Sequence, residues 1–381
     1  MTQSGHITVL GAGITAHAAA LLLAEQGFSV SLPAPQAQPH TRDIRAYAIN
    51  HTSRDTLKAC GVWPQDDQAA WLTPMTHMRV FGDASGALQF DAPPQQAQPL
   101  AWMVDVPVLE DHLAEAVTRH ARVQFDDHAS PSAQTPPSAL TIICEGKSGI
   151  ARTALGIDMV SKHYPHRALA LRMRAEHSHG GVAHQWFNGT HILALLPMGG
   201  ADGHDLAVVW SLPDAAHQTW LDMETTAQTA ALEDQLTQAS QGALGHLSLT
   251  SGPVAFPLSV GLTTQWIAQQ TALAGDAAHT IHPLAGQGLN LGLADVQTLS
   301  DCVAARARGE SPGASRVLQR YQRRRRAATE PMQWVTHGLF HLFNNSLGRN
   351  PAASWLRNAG MSGFNAMGPL KSWVQRVGMG N

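Results

Sequence analysis

The stretch His6-Ile7-Thr8-Val9-Leu10-Gly11-Ala12-Gly13-Ile14-Thr15-Ala16 decides the fold. Its first five residues are an apolar run of the length of one buried strand. After the two glycines, Ile14, Ala18, Leu21 and Leu22 recur at helical spacing. Gly27 ends that helix, and Phe28-Ser29-Val30-Ser31-Leu32 supplies a second strand, so the segment reads as a βαβ unit of the size a dinucleotide site requires. In Gly11-x-Gly13-x-x-Ala16 the first glycine permits the bend and the second lets a pyrophosphate approach the backbone. The small third residue lets helix and strand pack closely, and phosphate then meets the positive end of the helix. The acid that would bond a ribose hydroxyl at the end of the second strand is missing, for the chain reads Pro33-Ala34-Pro35 there.

Working outward, 381 residues make two or three domain-sized units, and a hydrophobic content of 44% with 14% charged residues excludes a disordered chain. A net charge of −3 is the wrong balance for a general nucleic-acid binder. No apolar run approaches the roughly 18 residues that span a bilayer, and the start lacks the basic-then-apolar pattern of an export signal. A cytoplasmic protein is expected. Cys60, Cys144 and Cys302 are far apart and odd in number, which suggests neither a disulfide framework nor a thiolate metal site. Val108 to Val117 reads as a helix between two polar connections at 91–99 and 129–138. Extended segments follow at Ala168–Arg174, His191–Pro197 and Leu206–Leu212, with Gly199, Gly200 and Gly203 marking a turn. A helical stretch near Ala215–Gln241, a buried strand at Thr271–Ala274 and a mostly helical remainder complete the pattern.

That late strand runs into Gly275-Asp276-Ala277-Ala278-His279 and then His282-Pro283-Leu284-Ala285-Gly286-Gln287-Gly288-Leu289-Asn290-Leu291-Gly292. Asp276, after a strand and a glycine, offers an acceptor at the end of that strand. Gly286–Asn290 offers backbone N–H groups at the start of a helix whose buried face is Leu289, Leu293, Val296 and Val303. The positive end of that helix favours nearby negative charge, by up to about 2 kcal/mol when partly buried.

The segment resembles the second flavin-binding motif of class A FAD monooxygenases, and its His-Pro-x-Ala-Gly-Gln-Gly-x-Asn-Leu-Gly form is similar to the ubiquinone-biosynthesis hydroxylase branch. Asp43–Ile49, Gly61-Val62-Trp63, Ala194–Pro197, Phe256-Pro257-Leu258, Tyr321–Arg325, Pro369-Leu370-Lys371 and Gly378-Met379-Gly380 agree with that branch. The resemblance implies an α/β fold: a Rossmann-like FAD-binding domain of the class A flavin monooxygenase, GR2-type kind, with an inserted β-sheet substrate domain and a helical C-terminus. The expected division is 1–75, 101–167 and 255–330 for the discontinuous FAD-binding domain, 76–100 and 168–254 for the β-rich substrate domain, and 331–381 for the C-terminal helical segment.

By the same resemblance the cofactor is FAD, held by Gly11, Gly13, Ala16, Arg45, Gly275, Asp276, Gly286, Gln287, Gly288, Leu289 and Asn290. Pro283 and Gly286 border the reaction side of the flavin, with no side-chain acid or base assigned. NADH or NADPH is the implied reductant and dioxygen the oxidant, acting through a flavin C4a-hydroperoxide. The implied substrate is a polyprenylated phenol or quinone precursor, whose apolar tail implies peripheral contact with the inner membrane. Membership of a quinone-biosynthesis complex and homo-oligomerisation stay open, and no nucleic acid is expected.

The middle motif of these enzymes, Asp-Gly followed by Ser and Arg, is here Glu145-Gly146-Lys147-Ser148-Gly149-Ile150-Ala151-Arg152. Ala34 and Glu145 together favour a rival reading, a flavin-poor accessory or scaffold member of the same fold. His177-x-His179 and His163-x-x-His166 lack neighbouring ligands at recognised spacing, so surface histidine is expected rather than metal. Arg323–Arg326 reads as a solvated helix face, and Trp334, Leu339, Phe340, Leu342 and Phe343 as core by default. His279 and His282 flank the flavin loop, where loop-stabilising hydrogen bonds are at least as well supported as acid–base catalysis.

Overall fold

A computed structural model describes residues 5–34, 43–82, 86–92, 98–126, 138–147, 149–188, 191–221, 223, 225–281 and 287–344. Apolar runs bounded by glycine form a sheet from β1 His6–Leu10, β2 Ser29–Leu32, β8 Val123–Phe125, β9 Leu140–Ile143, β15 Ile267–Ala268 and β16 Thr271–Leu273. Its order is β15-β16-β9-β1-β2-β8, parallel throughout except at the β15–β16 edge. Strand order therefore reverses beside β1, with β2 on one side and β9 on the other, the crevice where open α/β sheets bind ligands.

Helix α1, Ile14–Glu25, is buried on nearly every side, because it lies between the sheet, α3 (Val106–Arg119) and α7 (Gly288–Ala304). Its alanines give the close approach expected of a helix following a glycine-rich turn.

A second, eight-stranded sheet runs β17 (His279–Thr280), β14 (Leu247–Thr263), β10 (Met159–Ala175), β13 (Asp205–Pro213), β12 (His191–Met198), β11 (Val182–Asn188), β5 (His77–Phe81) and β6 (Ala87–Asp91). All neighbours are antiparallel except β11 and β5. The alternation of side chains sets its two faces. Leu169, Leu171, Leu193, Leu195, Val208 and Trp210 pack on one side with Trp220 of α5 (Asp214–Leu221) and Leu232 and Leu236 of α6 (Thr225–Ala239). The other side, through Met198 and Ala207, meets a small antiparallel sheet of β3 (Ala46–Ile49), β7 (Ala101–Asp105) and β4 (Leu72–Met75).

β10 and β14 are each 17 residues long and pair with each other along most of that length, within the second sheet alone. The remaining helices are α2 (His51–Ala59), α4 (Ile150–Ala154) and α8 (Ser315–Asn344), the last containing Pro331. Trp334 to Phe343 lie on α8, but their side chains fall outside the described residues.

Candidate active site

The first wall of the site is the turn after β1. Cys144 N–H donates to the Leu10 carbonyl at 2.7 Å, which brings the ends of β1 and β9 together. Gly11 lies at φ +132°, and a Cβ built there would sit 2.5 Å from the Cys144 carbonyl oxygen. No side chain is tolerated at that approach. Gly13 differs: it is the N-cap of α1 and a Cβ there would meet nothing within 4 Å. The first turn of α1 has neither an acidic residue nor a side-chain cap, so its positive end is open to an anion. Ala16 is fully buried against the sheet.

The late glycine turn is packed onto this first one. β16 leads into a 3₁₀ turn, Gly275–Ala277, with Gly275 at φ +63°. A Cβ on Gly292 of α7 would lie 2.8 Å from Thr15 Oγ1 and 3.3 Å from Gly275 Cα. Thr15, Gly275 and Gly292 thus form one contact, and smallness at both glycines is what lets two distant motifs share a cleft.

Asp276 reaches solvent from this turn, yet crowding by protein raises its carboxyl pKa; Lys147, His279 and Arg45 act against that rise and Asp295 adds to it. Among the described residues nothing bonds its carboxylate.

The opposite wall is β3 and the residues before it. Asp43 grips Arg45 through Nε at 2.8 Å and Nη2 at 2.5 Å, and Arg45 Nη1 donates to the Tyr47 hydroxyl at 3.4 Å. Burial raises the Asp43 carboxyl pKa but Arg45 more than reverses this, while Asp43 in turn holds Arg45 more firmly protonated. Arg172 of β10 fixes this segment from behind, donating to the carbonyls of Ile44 at 3.0 Å and Arg45 at 3.1 Å and pairing with Asp105.

The start of α7 closes the cleft. It has no acidic residue in its first turn and no side-chain cap, and a Cβ on Gly288 would meet nothing within 4 Å. Leu289 joins the main core. The Asn290 side chain is committed internally: Nδ2 donates to Ala48 O at 2.8 Å and Oδ1 accepts from Asn50 N at 3.1 Å, so it clamps α7 to β3. Gln287 precedes the helix beside it. Pro283 and Gly286, with His282, lie outside the described residues.

Sequence reading missed what supports the late turn. Asp295 is fully buried on α7 and accepts from Gly275 N at 2.9 Å, His279 Nε2 at 2.6 Å and Arg325 Nε at 2.6 Å. Burial alone raises its pKa, but His279 and Arg325 together lower it below the usual value. Tyr321 of α8 donates to Leu273 O at 2.6 Å, and Trp266 packs over His279 with ring centroids 5.0 Å apart. Arg325 is therefore a buried ion-pair partner, not part of a solvated face, although Arg323 and Arg324 are exposed. The available signal was an acid one position before Val296, on the buried stripe of α7.

In the middle motif, Glu145 accepts from Ala151 N at 2.9 Å and so caps α4. Arg152 reaches the carbonyls of Lys147 at 3.1 Å and Ala277 at 3.4 Å, tying this motif to the Asp276 turn. Ala34 follows β2 with no carboxylate there. The expectation of surface histidine is corrected at His179 and His166, which are buried; His179 bonds Met198 O at 2.8 Å and accepts from Gly181 N at 3.1 Å.

Two uncapped helix starts, a glycine with room for an approaching phosphate and an accessible carboxylate in a crowded cleft fit a flavin nucleotide. Taken with the full-length similarity to named hydroxylases, the cleft and the two-sheet frame around it are those of an FAD-dependent monooxygenase, a hydroxylase. The chain belongs to the FAD-binding-domain family, whose model matches residues 5–334. It is 30% identical to 3-demethoxyubiquinol 3-hydroxylase of Escherichia coli (strain K12), over 99% of each chain. It is 28% identical to ubiquinone hydroxylase UbiL of Rhodospirillum rubrum, over 98% of this chain and 89% of the relative. Its fold is that of p-nitrophenol 4-monooxygenase PnpA from Pseudomonas putida DLL-E4, with a TM-score of 0.77 at 16% identity, covering 97% of this chain and 96% of that one. Among the described residues no helix is long and apolar enough to cross a membrane.

Proposed function

We propose that the protein hydroxylates the ring of a polyprenylated phenolic quinone precursor in ubiquinone biosynthesis, with NADH or NADPH as reductant and dioxygen as oxidant. The observation that carries this reading is the floor facing the cofactor side. The cross-strand row Val254, Ala170, Val209, Ala194, Gln185 and Val80 lies on the same face as Arg172 and Ala207. Ala194 and Val209, central in the sheet, stay partly exposed between buried neighbours. Small apolar side chains there leave room for an apolar ring, and the full-length similarity to ubiquinone hydroxylases supports the choice of substrate class.

Bound FAD would supply oxygen activation, one atom going to the ring and the other leaving as water. The chain's residues bind and orient. The start of α7 favours negative charge at the ring of a reduced flavin, Asp276 would hold a ribitol hydroxyl, and Gly13 with the first turn of α1 would take the pyrophosphate. Packed sheets on either side exclude water from the reacting groups. Gly11, Gly13, Ala16, Arg45, Gly275, Asp276 and Gln287–Asn290 are the proposed cofactor residues, with Pro283 and Gly286 on the reaction side. The domain division set out above is part of the same proposal, as are peripheral membrane contact and a quinone-biosynthesis complex.

A strain lacking the gene is expected to accumulate one phenolic precursor, and the wild-type gene to clear it. Ala194→Phe, which fills the floor, should fail to clear it while retaining FAD. An unchanged quinone pool in the deletion strain removes the pathway role.

Asp276→Ala should weaken FAD binding by about one to two decades in Kd, the worth of one charge-assisted hydrogen bond. Cys144→Ala should leave it near the wild type. Titration of the two apoproteins reads this directly, and equal affinity in both contradicts the role given to Asp276.

A further inference from the structure

Tyr47 is a residue to which the sequence motifs gave no role. β3 presents alternate residues to opposite sides: Ala46 and Ala48 pack toward Met103 and Met198, while Tyr47 and Ile49 turn toward the core of the cofactor sheet. The hydroxyl of Tyr47 accepts from Arg45 Nη1 at 3.4 Å, and among the described residues its own proton has no acceptor. The next residue, Ala48, is where Asn290 clamps the first turn of α7 to β3. Tyr47 is thereby held beside the first turn of α7, the helix against which the Asp276 turn also packs.

The electrostatics agree with that placement. Burial raises the Tyr47 phenol above its ordinary value, Arg45 opposes the rise, and Asp276, Asp43 and Glu110 add to it. Asp276 is thus near enough for its charge to act on the phenol, yet no hydrogen bond joins the two. Among the described residues the Tyr47 hydroxyl has a proton to give and the Asp276 carboxylate has room to accept.

We infer that the Tyr47 hydroxyl is a further contact of the cofactor, hydrogen-bonding the polyol chain of the flavin nucleotide that Asp276 also holds. A polyol suits the pair because each of its hydroxyls both donates and accepts, so it can give a proton to Asp276 and take one from Tyr47. Arg45 keeps the phenol oxygen occupied as an acceptor, which leaves the O–H to donate to the ligand. The inference rests on FAD occupying this cleft.

Tyr47→Phe removes one oxygen and keeps the ring. The variant apoprotein, titrated with FAD beside the wild type, should show a Kd raised about three- to tenfold, as for one net hydrogen bond. The melting temperature of the apoprotein should not change, because among the described residues the only bond lost is the long one from Arg45. In the Tyr47→Phe/Asp276→Asn double variant the two effects should be non-additive, since both residues hold one ligand segment. An unchanged Kd for Tyr47→Phe overturns the inference, as does a raised Kd matched by a lower apoprotein melting temperature. Wild-type apoprotein that takes up no FAD overturns instead the cofactor seat on which it rests.

Discussion

Gly11→Ala should yield a protein that neither reaches wild-type stability nor retains FAD, whereas Gly13→Ala, two residues away, should fold and still lose the cofactor. The two glycines do different work. At Gly11 a Cβ would lie 2.5 Å from the Cys144 carbonyl oxygen at a backbone angle of φ +132°. A backbone conformation of that kind costs a side chain about 1–3 kcal/mol, and the clash a similar amount again. Against a total stability of about 5–15 kcal/mol that is a large fraction. Relief would have to come from separating the ends of β1 and β9, which carry the first wall of the cleft. Gly13 sits at φ −92° with open space around its Cβ position, so alanine there leaves the fold intact. The space is what an approaching pyrophosphate needs. Thermal melts of the apoproteins, followed by FAD titration, separate the cases. Equal melting temperatures for the wild type and Gly11→Ala would contradict the packing given to Gly11.

Asp295→Ala should destabilise the protein by about 3–5 kcal/mol, the cost of leaving a buried charge without its partner. The substitution strips Arg325 and His279 of their shared carboxylate and Gly275 of its acceptor, so the Asp276 turn loses its support from behind. Asp295→Asn keeps the shape and removes the charge. Because the folded-state pKa of Asp295 is lowered, its ionisation stabilises the fold at pH values above the unfolded value of about 3.9 and that contribution is lost as pH falls through the folded pKa. Wild-type stability should therefore fall on acidification below about pH 4 more steeply than that of Asp295→Asn. Urea midpoints measured across the acid range test this. Parallel curves would show that the Asp295 carboxylate carries no such linkage.

Much of the cofactor side was legible because local sequence and tertiary packing agree there. The β1–Gly11–Gly13–α1 unit follows from an apolar run, a turn that needs φ above zero and a helical repeat, and the described parts of the later motif, the strand Thr271–Leu273, the turn at Gly275 and the helix from Gly288, follow from the same signals. The Val108–Val117 helix appears as Val106–Arg119, and the extended segments at 168–212 as β10, β12 and β13. The full reach of β10 to Met159 and of β14 to Thr263 was not legible, since Ser161, Lys162 and His163 on an exposed ribbon carry no apolar alternation.

The buried charges were hidden for a related reason. Arg325 sits in a run of four arginines, and only the three-dimensional pairing with Asp295 tells it from exposed Arg323 and Arg324. Asn290 was read as a flavin contact, yet its amide serves the β3 clamp, and a motif alone does not separate side-chain from backbone use. Glu145, read as a weakness in the cofactor site, caps α4, while Arg152 of the same motif holds the Asp276 turn.

The claim that everything else depends on is that a flavin nucleotide seats between the Gly11–Ala16 turn and the Gly275–Gly292 turn. Its most direct test is the visible spectrum and released-flavin content of purified wild-type protein after incubation with excess FAD and gel filtration, run beside Gly13→Ala. About one FAD for each wild-type chain is expected, with much less on Gly13→Ala of equal melting temperature before loading. A folded wild-type chain that emerges colourless, or a Gly13→Ala chain that carries as much FAD as the wild type, would contradict it.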